Sequence, residues 1–146
     1  MAIILKRLAR LGDPNPLVYG GLLVVLTCVV RGRAPALRLL AYATIGAYGL
    51  ELCGKLLFPQ VRTSRLLGQA LSPYPSGTAM RAMVFAMVVL VIWGPARRRS
   101  WPQVWLRRAV VGWPILISTA LVVLRWHTLS EAIGGLLFGA AWGVSV

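Results

Sequence analysis

Three groups of residues in this chain could do chemistry together. Lys55 is followed seven residues on by Arg62, the turn Pro75-Ser76-Gly77-Thr78 opens an apolar run, and the only histidine, His127, is followed four residues on by Glu131. On a helix, His127 and Glu131 share a face, so the carboxylate can accept from one imidazole nitrogen and leave the other free to attack. Lys55 and Arg62 would neutralise phosphoryl oxygens. A Pro-Ser-Gly turn entering a helix, with Ser76 as N-cap, offers backbone N–H groups and the positive end of the helix dipole to an anion. Together these are the parts of metal-free phosphoryl transfer through a covalent phosphohistidine. Each group also has an ordinary explanation. A histidine near a helix start is commonly structural, Lys and Arg anchor helices at membrane interfaces, and Pro-Ser-Gly is a common helix entry. Their order, their spacing and their expected placement on one membrane face favour the chemical reading.

Composition says what kind of scaffold could bring the three groups together. Of 146 residues, 58% are hydrophobic and 13% charged, too little charge to cover a soluble surface. The apolar residues also come in long runs, as an integral membrane protein requires. The net charge of +13 comes from 16 Lys and Arg against Asp13, Glu51 and Glu131 alone. These basic residues lie between greasy segments, so anionic lipid headgroups and topology signals account for them better than nucleic acid does.

The pattern predicts an all-α, polytopic membrane helix bundle forming one domain over residues 1–146. Five spans are expected, at about Leu17–Val30, 37–57, Gly77–Trp93, 109–124 and 127–146. Before them, residues 1–12 form a short amphipathic helix with Ile3, Ile4, Leu8 and Leu11 on the face that lies on the membrane surface. Arg31 and Arg33 follow the first apolar run with no clean cleavage site beside it, so that run reads as a retained span and not a secretion signal. Pro114 is a kink site in the fourth span, and Gly134, Gly135, Gly139 and Gly143 offer close packing for the fifth. Glu51 falls inside the second span, four residues before Lys55, and an ion pair between them is favoured over a functional role. Cys28 and Cys53 read as small core hydrophobes without a disulfide, and no metal-ligand spacing is present.

The polar connection 58–76 is long for a helix–helix loop, which suggests function. Five spans put 58–76 and 125–127 on one face, with 31–38 and 96–108 on the other. With Lys55 and Arg62 set aside as site residues, the 96–108 side is the more basic and therefore cytoplasmic. The site then faces outward, across what would be a bacterial inner membrane, although the basic N-terminal helix would lie outside too. No cofactor is expected. The expected partners are membrane lipids, an anionic lipid phosphate or pyrophosphate as substrate, and a second copy or membrane-complex subunit. A channel or transporter is disfavoured, because no inverted repeat or broken helix pair is evident.

The three groups resemble the type 2 phosphatidic acid phosphatase family, which includes bacterial undecaprenyl-pyrophosphate phosphatases and has soluble acid-phosphatase and haloperoxidase relatives. The family pattern is K-x(6)-R-P, then P-S-G-H, then S-R-x(5)-H-x(3)-D. Here the matching stretches are Lys55-x(6)-Arg62-Thr63, Pro75-Ser76-Gly77-Thr78 and Ala120-Leu121-x(5)-His127-x(3)-Glu131. The resemblance covers about residues 50–140. It implies that His127 is the nucleophile, that Glu131 orients it, and that Lys55, Arg62, Ser76 and Gly77 hold the phosphate.

The chain departs from the pattern at three positions. Thr78 stands where the family has the histidine that protonates the leaving group. Leu121 stands where it has a phosphate-binding arginine, with Arg125 one helical turn on as a partial substitute. Thr63 replaces the proline. A pyrophosphate ester expels a phosphate monoester, which needs less protonation than a lipid alcohol, so lipid pyrophosphates are expected to react faster than phosphatidic acid. The other reading is a catalytically silent relative that binds lipid or serves as a subunit of a membrane complex.

Overall fold

The structure, a computed structural model, describes residues 2–11, 14–58, 74–93 and 101–146. These form six α-helices and no strand: α1 Ala2–Arg10, α2 Pro14–Val30, α3 Ala34–Leu57, α4 Gly77–Trp93, α5 Trp101–Val123 and α6 Leu129–Ser145. Proline begins or nearly begins two of them, Pro14 in α2 and Pro35 in α3, where its fixed φ suits a first turn and its missing N–H is not needed. The expected 96–108 loop is shorter than the sequence suggests: α5 already begins at Trp101, so Arg107 and Arg108 lie on a helix. That helix continues through Pro114, which is fully buried.

Helix α4 is central, packing against α2, α3, α5 and α6. Its closest neighbour is α6, and the reason is the glycine row of α6. A Cβ on Gly135 would lie 2.4 Å from the Ser76 carbonyl oxygen, and one on Gly139 would lie 2.6 Å from that of Met80. Only a bare Cα at these positions lets the two backbones meet. Two long-range hydrogen bonds fix the rest of the frame. Trp142 Nε1 donates to the Ala43 carbonyl of α3 at 3.0 Å, and Arg33, between α2 and α3, donates to the Ile92 carbonyl near the end of α4 at 2.9 Å. The second bond satisfies a helix C-terminus and brings the α2–α3 turn to the far end of α4 from Ser76.

The interior is built of small residues such as Ala43, Ala47, Ala79, Ala82 and Ala120, while Leu23, Val30, Tyr42, Ile45, Leu57, Leu137 and Val144 are exposed. Cys28 is buried as expected, but Cys53 is not a core residue: it lies on the outer face of α3, and both cysteines are free. Helix α1 forms where expected but docks on α5 through Leu5, Leu8 and Ala9, in a cluster with Ile117 and Leu121. Ile3, Ile4 and Leu11 are left exposed, so the buried stripe is rotated from the one read in the sequence. Among the described residues one helical segment, Pro102–Val123, is long and apolar enough to cross a membrane, and Leu17–Val30, Gly77–Trp93 and Leu129–Ser145 are shorter apolar helices.

Candidate functional site

The end of α5, the start of α6 and the start of α4 meet at one end of the bundle. Helix α5 stops in a Schellman motif: Trp126 N–H donates to the Leu121 carbonyl at 3.0 Å and Arg125 N–H to Val122 at 2.9 Å. Arg125 occupies the left-handed position of that motif, with φ 58°. The chain then enters α6 through a capping box. Thr128 Oγ1 accepts from Glu131 N–H at 3.3 Å, and Glu131 Oε2 accepts from Thr128 N–H at 3.1 Å. The same Oε2 lies 2.8 Å from Nδ1 of His127. Glu131 is buried while His127 stays partly open, at 22% side-chain exposure. One carboxylate therefore closes the helix end and fixes the imidazole, leaving Nε2 with no hydrogen bond among the described residues.

The Pro-Ser-Gly turn is tied to this helix start directly. Ser76 N–H donates to the backbone carbonyl of Glu131 at 3.0 Å. Ser76 also caps α4, its Oγ accepting from Ala79 N–H at 3.4 Å. The N–H of Ser76 is thus engaged, while its hydroxyl, used as an acceptor, keeps its own proton to donate. Among the described residues the amides of Gly77 and Thr78 have no backbone acceptor, and they open the positive end of the α4 dipole. Tyr74 and Pro75, joined by a cis peptide, seat the turn between helices. The Tyr74 ring packs edge-on against Phe58 at 5.4 Å and fills the space over Gly134, while Pro75 fills the space over Gly54.

Helix α3 brings its cation to the same end, already paired. Lys55 Nζ donates to Glu51 Oε1 at 2.7 Å, which is the ion pair expected from their spacing. Glu51 has a second partner that the sequence reading missed. Arg81, one turn into α4, donates to Glu51 Oε2 and sits over the Tyr48 ring at 5.3 Å. Arg81 was hidden inside the apolar run after Thr78. The available signal was that it is the one charged residue between Gly77 and Trp93, and a charge inside a membrane span is a functional candidate by default. The Glu51 carboxylate lies directly over Gly77, where a Cβ would come within 2.0 Å of Oε1.

The remaining sequence candidates divide. Thr78 is half-buried, one residue past Gly77 at the start of α4. Arg125 is exposed, and its side chain makes no hydrogen bond or ion pair among the described residues. Arg62 and Thr63 lie outside the described residues. Leu121, at the position of the family's second arginine, is buried in the apolar cluster that α1 joins, so that place is packed and dry. Its carbonyl still serves the site by accepting from Trp126 and His127 N–H.

No group of His, Cys, Asp and Glu among the described residues is disposed to hold a metal ion. No curated protein and no solved structure matches the chain. The family model of the PAP2 superfamily matches residues 18–146, a stretch that takes in the α4 turn and both ends of the α5–α6 connection, and the chain belongs to that superfamily.

Proposed function

We propose that this chain is an integral membrane phosphatase of lipid phosphates or pyrophosphates, working through a phosphohistidine at His127. Superfamily membership points to phosphatase-type chemistry. The observation that carries the specific reading is the bond from Ser76 N–H to the Glu131 carbonyl at 3.0 Å. It fastens the anion-favouring start of α4 to the residue whose carboxylate holds His127. The exposed large apolar side chains around a small-residue interior support a membrane setting for all five longer helices. The short helix α1 would then lie near the interface, docked on α5. Sequence charge favours an orientation with the site outward.

In the first step, His127 Nε2 attacks phosphorus and the bond to the leaving oxygen breaks, the electron pair departing with that oxygen. Glu131 takes up the hydrogen bond from Nδ1–H and stabilises the positive charge on the ring. The amides of Gly77 and Thr78, with Arg125, offset the charge on the phosphoryl oxygens, a role the sequence pattern also assigns to Arg62. Lys55, tethered to Glu51, contributes from the α3 side. In the second step, water attacks phosphorus and the bond to Nε2 breaks, its electron pair returning to the imidazole; the water's protons leave with inorganic phosphate and solvent, and neutral His127 is restored. Thr78 cannot protonate the leaving group, so leaving groups stable as anions react best. A lipid pyrophosphate provides one and a lipid monophosphate does not.

The test is phosphate release by purified protein from a panel of polyprenyl pyrophosphate and phosphatidic acid, beside His127→Ala. The expected result is turnover that favours the pyrophosphate and vanishes in the variant. Equal turnover by both proteins would remove His127 from the chemistry. Faster release from phosphatidic acid would contradict the leaving-group argument. No turnover by either would leave the silent lipid-binding relative as the better description.

A further inference from the structure

A cleft of about 260 Å³ runs between α2, α3 and α4, away from the face of α4 that meets α6. Its walls are apolar, among them Leu22, Val25, Leu40 and Val88, and Arg81 lies at its end nearest the α4 turn. From Arg81 to Val88 the helix rises by roughly 10 Å, so the cleft extends from the site end of the bundle toward its middle. That is the shape of a slot for one hydrocarbon chain.

Arg81 says what should head that chain. Two cations, Lys55 and Arg81, share the single carboxylate of Glu51, which leaves one positive charge unmatched. Moreover, Arg81 Nε is buried and has no hydrogen-bond acceptor among the described residues. A buried N–H of a charged group without an acceptor is costly, and an anionic oxygen at the mouth of the cleft would satisfy it. We infer that the α2–α3–α4 cleft binds one hydrocarbon chain of an anionic phospholipid, with the headgroup phosphate at Arg81. The inference depends on the membrane placement proposed above but not on the chemistry at His127.

The test is photolabelling of the full chain in phosphatidylcholine nanodiscs. One probe is phosphatidic acid with a diazirine in mid-chain, and the other is phosphatidylcholine with the same labelled chain. Adducts from phosphatidic acid should concentrate on α2, α3 and α4 residues of the cleft such as Val25 and Val88. They should exceed those from the phosphatidylcholine probe by about tenfold, because phosphatidylcholine balances its phosphate with its own choline cation while phosphatidic acid brings net negative charge to Arg81. Gly21 lines the cleft, and a Cβ there meets nothing within 4 Å, so Gly21→Leu puts a side chain into the slot and should remove the cleft adducts. Arg81→Gln should retain adducts but lose the preference between the two lipids, and His127→Ala should label as the parent does. Equal labelling of the parent by both probes, or adducts spread over outer residues such as Leu26 and Ile45 and unmoved by Gly21→Leu, would overturn the inference. The parent comparison needs no variant, and a failure of turnover leaves every one of these outcomes readable.

Discussion

Glu131 carries two duties, and separating them is the sharpest question at the scale of single residues. Its carboxylate accepts from Thr128 N–H and from His127 Nδ1, so removing it damages both a helix cap and the imidazole's orientation. Loss of the cap alone is reproduced by Thr128→Ala, which should cost about 1 kcal/mol of stability. Glu131→Gln should lower turnover by about 10²–10⁴, well beyond what Thr128→Ala does to turnover at the same temperature. Equal effects of the two variants would reduce Glu131 to a capping residue. Thr78 permits a test in the opposite direction. A Thr78→His variant should gain phosphate release from phosphatidic acid relative to the parent, because it supplies the absent proton donor, and no gain would speak against the phosphate sitting beside residue 78.

Two helices of this chain end in the same motif with different residues in the left-handed position, and that contrast makes a prediction at the scale of elements. After α2 the position is Gly32, with φ 62°, where Arg33 N–H reaches the Cys28 carbonyl at 2.8 Å. After α5 it is Arg125, with φ 58°. A side chain in that region costs on the order of 1 kcal/mol, which argues that the arginine is kept for something other than the turn. Arg125→Gly should therefore raise the thermal midpoint in detergent while lowering turnover. Higher stability with unchanged turnover would make Arg125 a cap residue only. Elements were the most legible level in the sequence. Glycines spaced by four on α6 announced a close contact, and Gly135 and Gly139 make it on α4. Less legible were features that depend on a distant partner. Arg81 stayed hidden because its meaning comes from Glu51, thirty residues earlier. The outward face of Cys53 and the stripe by which α1 docks depend likewise on where α5 and the other helices run, which local periodicity does not encode.

At the scale of the whole molecule, the order of helices does the assembling. Chain entry to α4 and to α6 falls at one end of the bundle, and Arg33 with the Ile92 carbonyl marks the other. Ser76 and Glu131, the residue that holds His127, are more than a third of the chain apart in sequence and meet because α6 lies along α4 on its glycine face. The sequence reading offered the candidate site as three separated groups; the structure ties the Ser76 turn to the start of α6 and shows how some of their atoms are used. Ser76 donates its N–H to Glu131 and accepts at Oγ from Ala79, so of its donors the hydroxyl proton is left for the proposed anion, beside the amides of Gly77 and Thr78. The proposed chemistry centres on a covalent intermediate at one nitrogen. The most direct measurement is rapid quenching of the protein with a polyprenyl pyrophosphate carrying a labelled terminal phosphate, followed by peptide mapping under alkaline conditions that preserve phosphohistidine. We predict an acid-labile phosphoryl group on the peptide containing His127, absent from His127→Ala. Sustained phosphate release with no label on that peptide would contradict the mechanism.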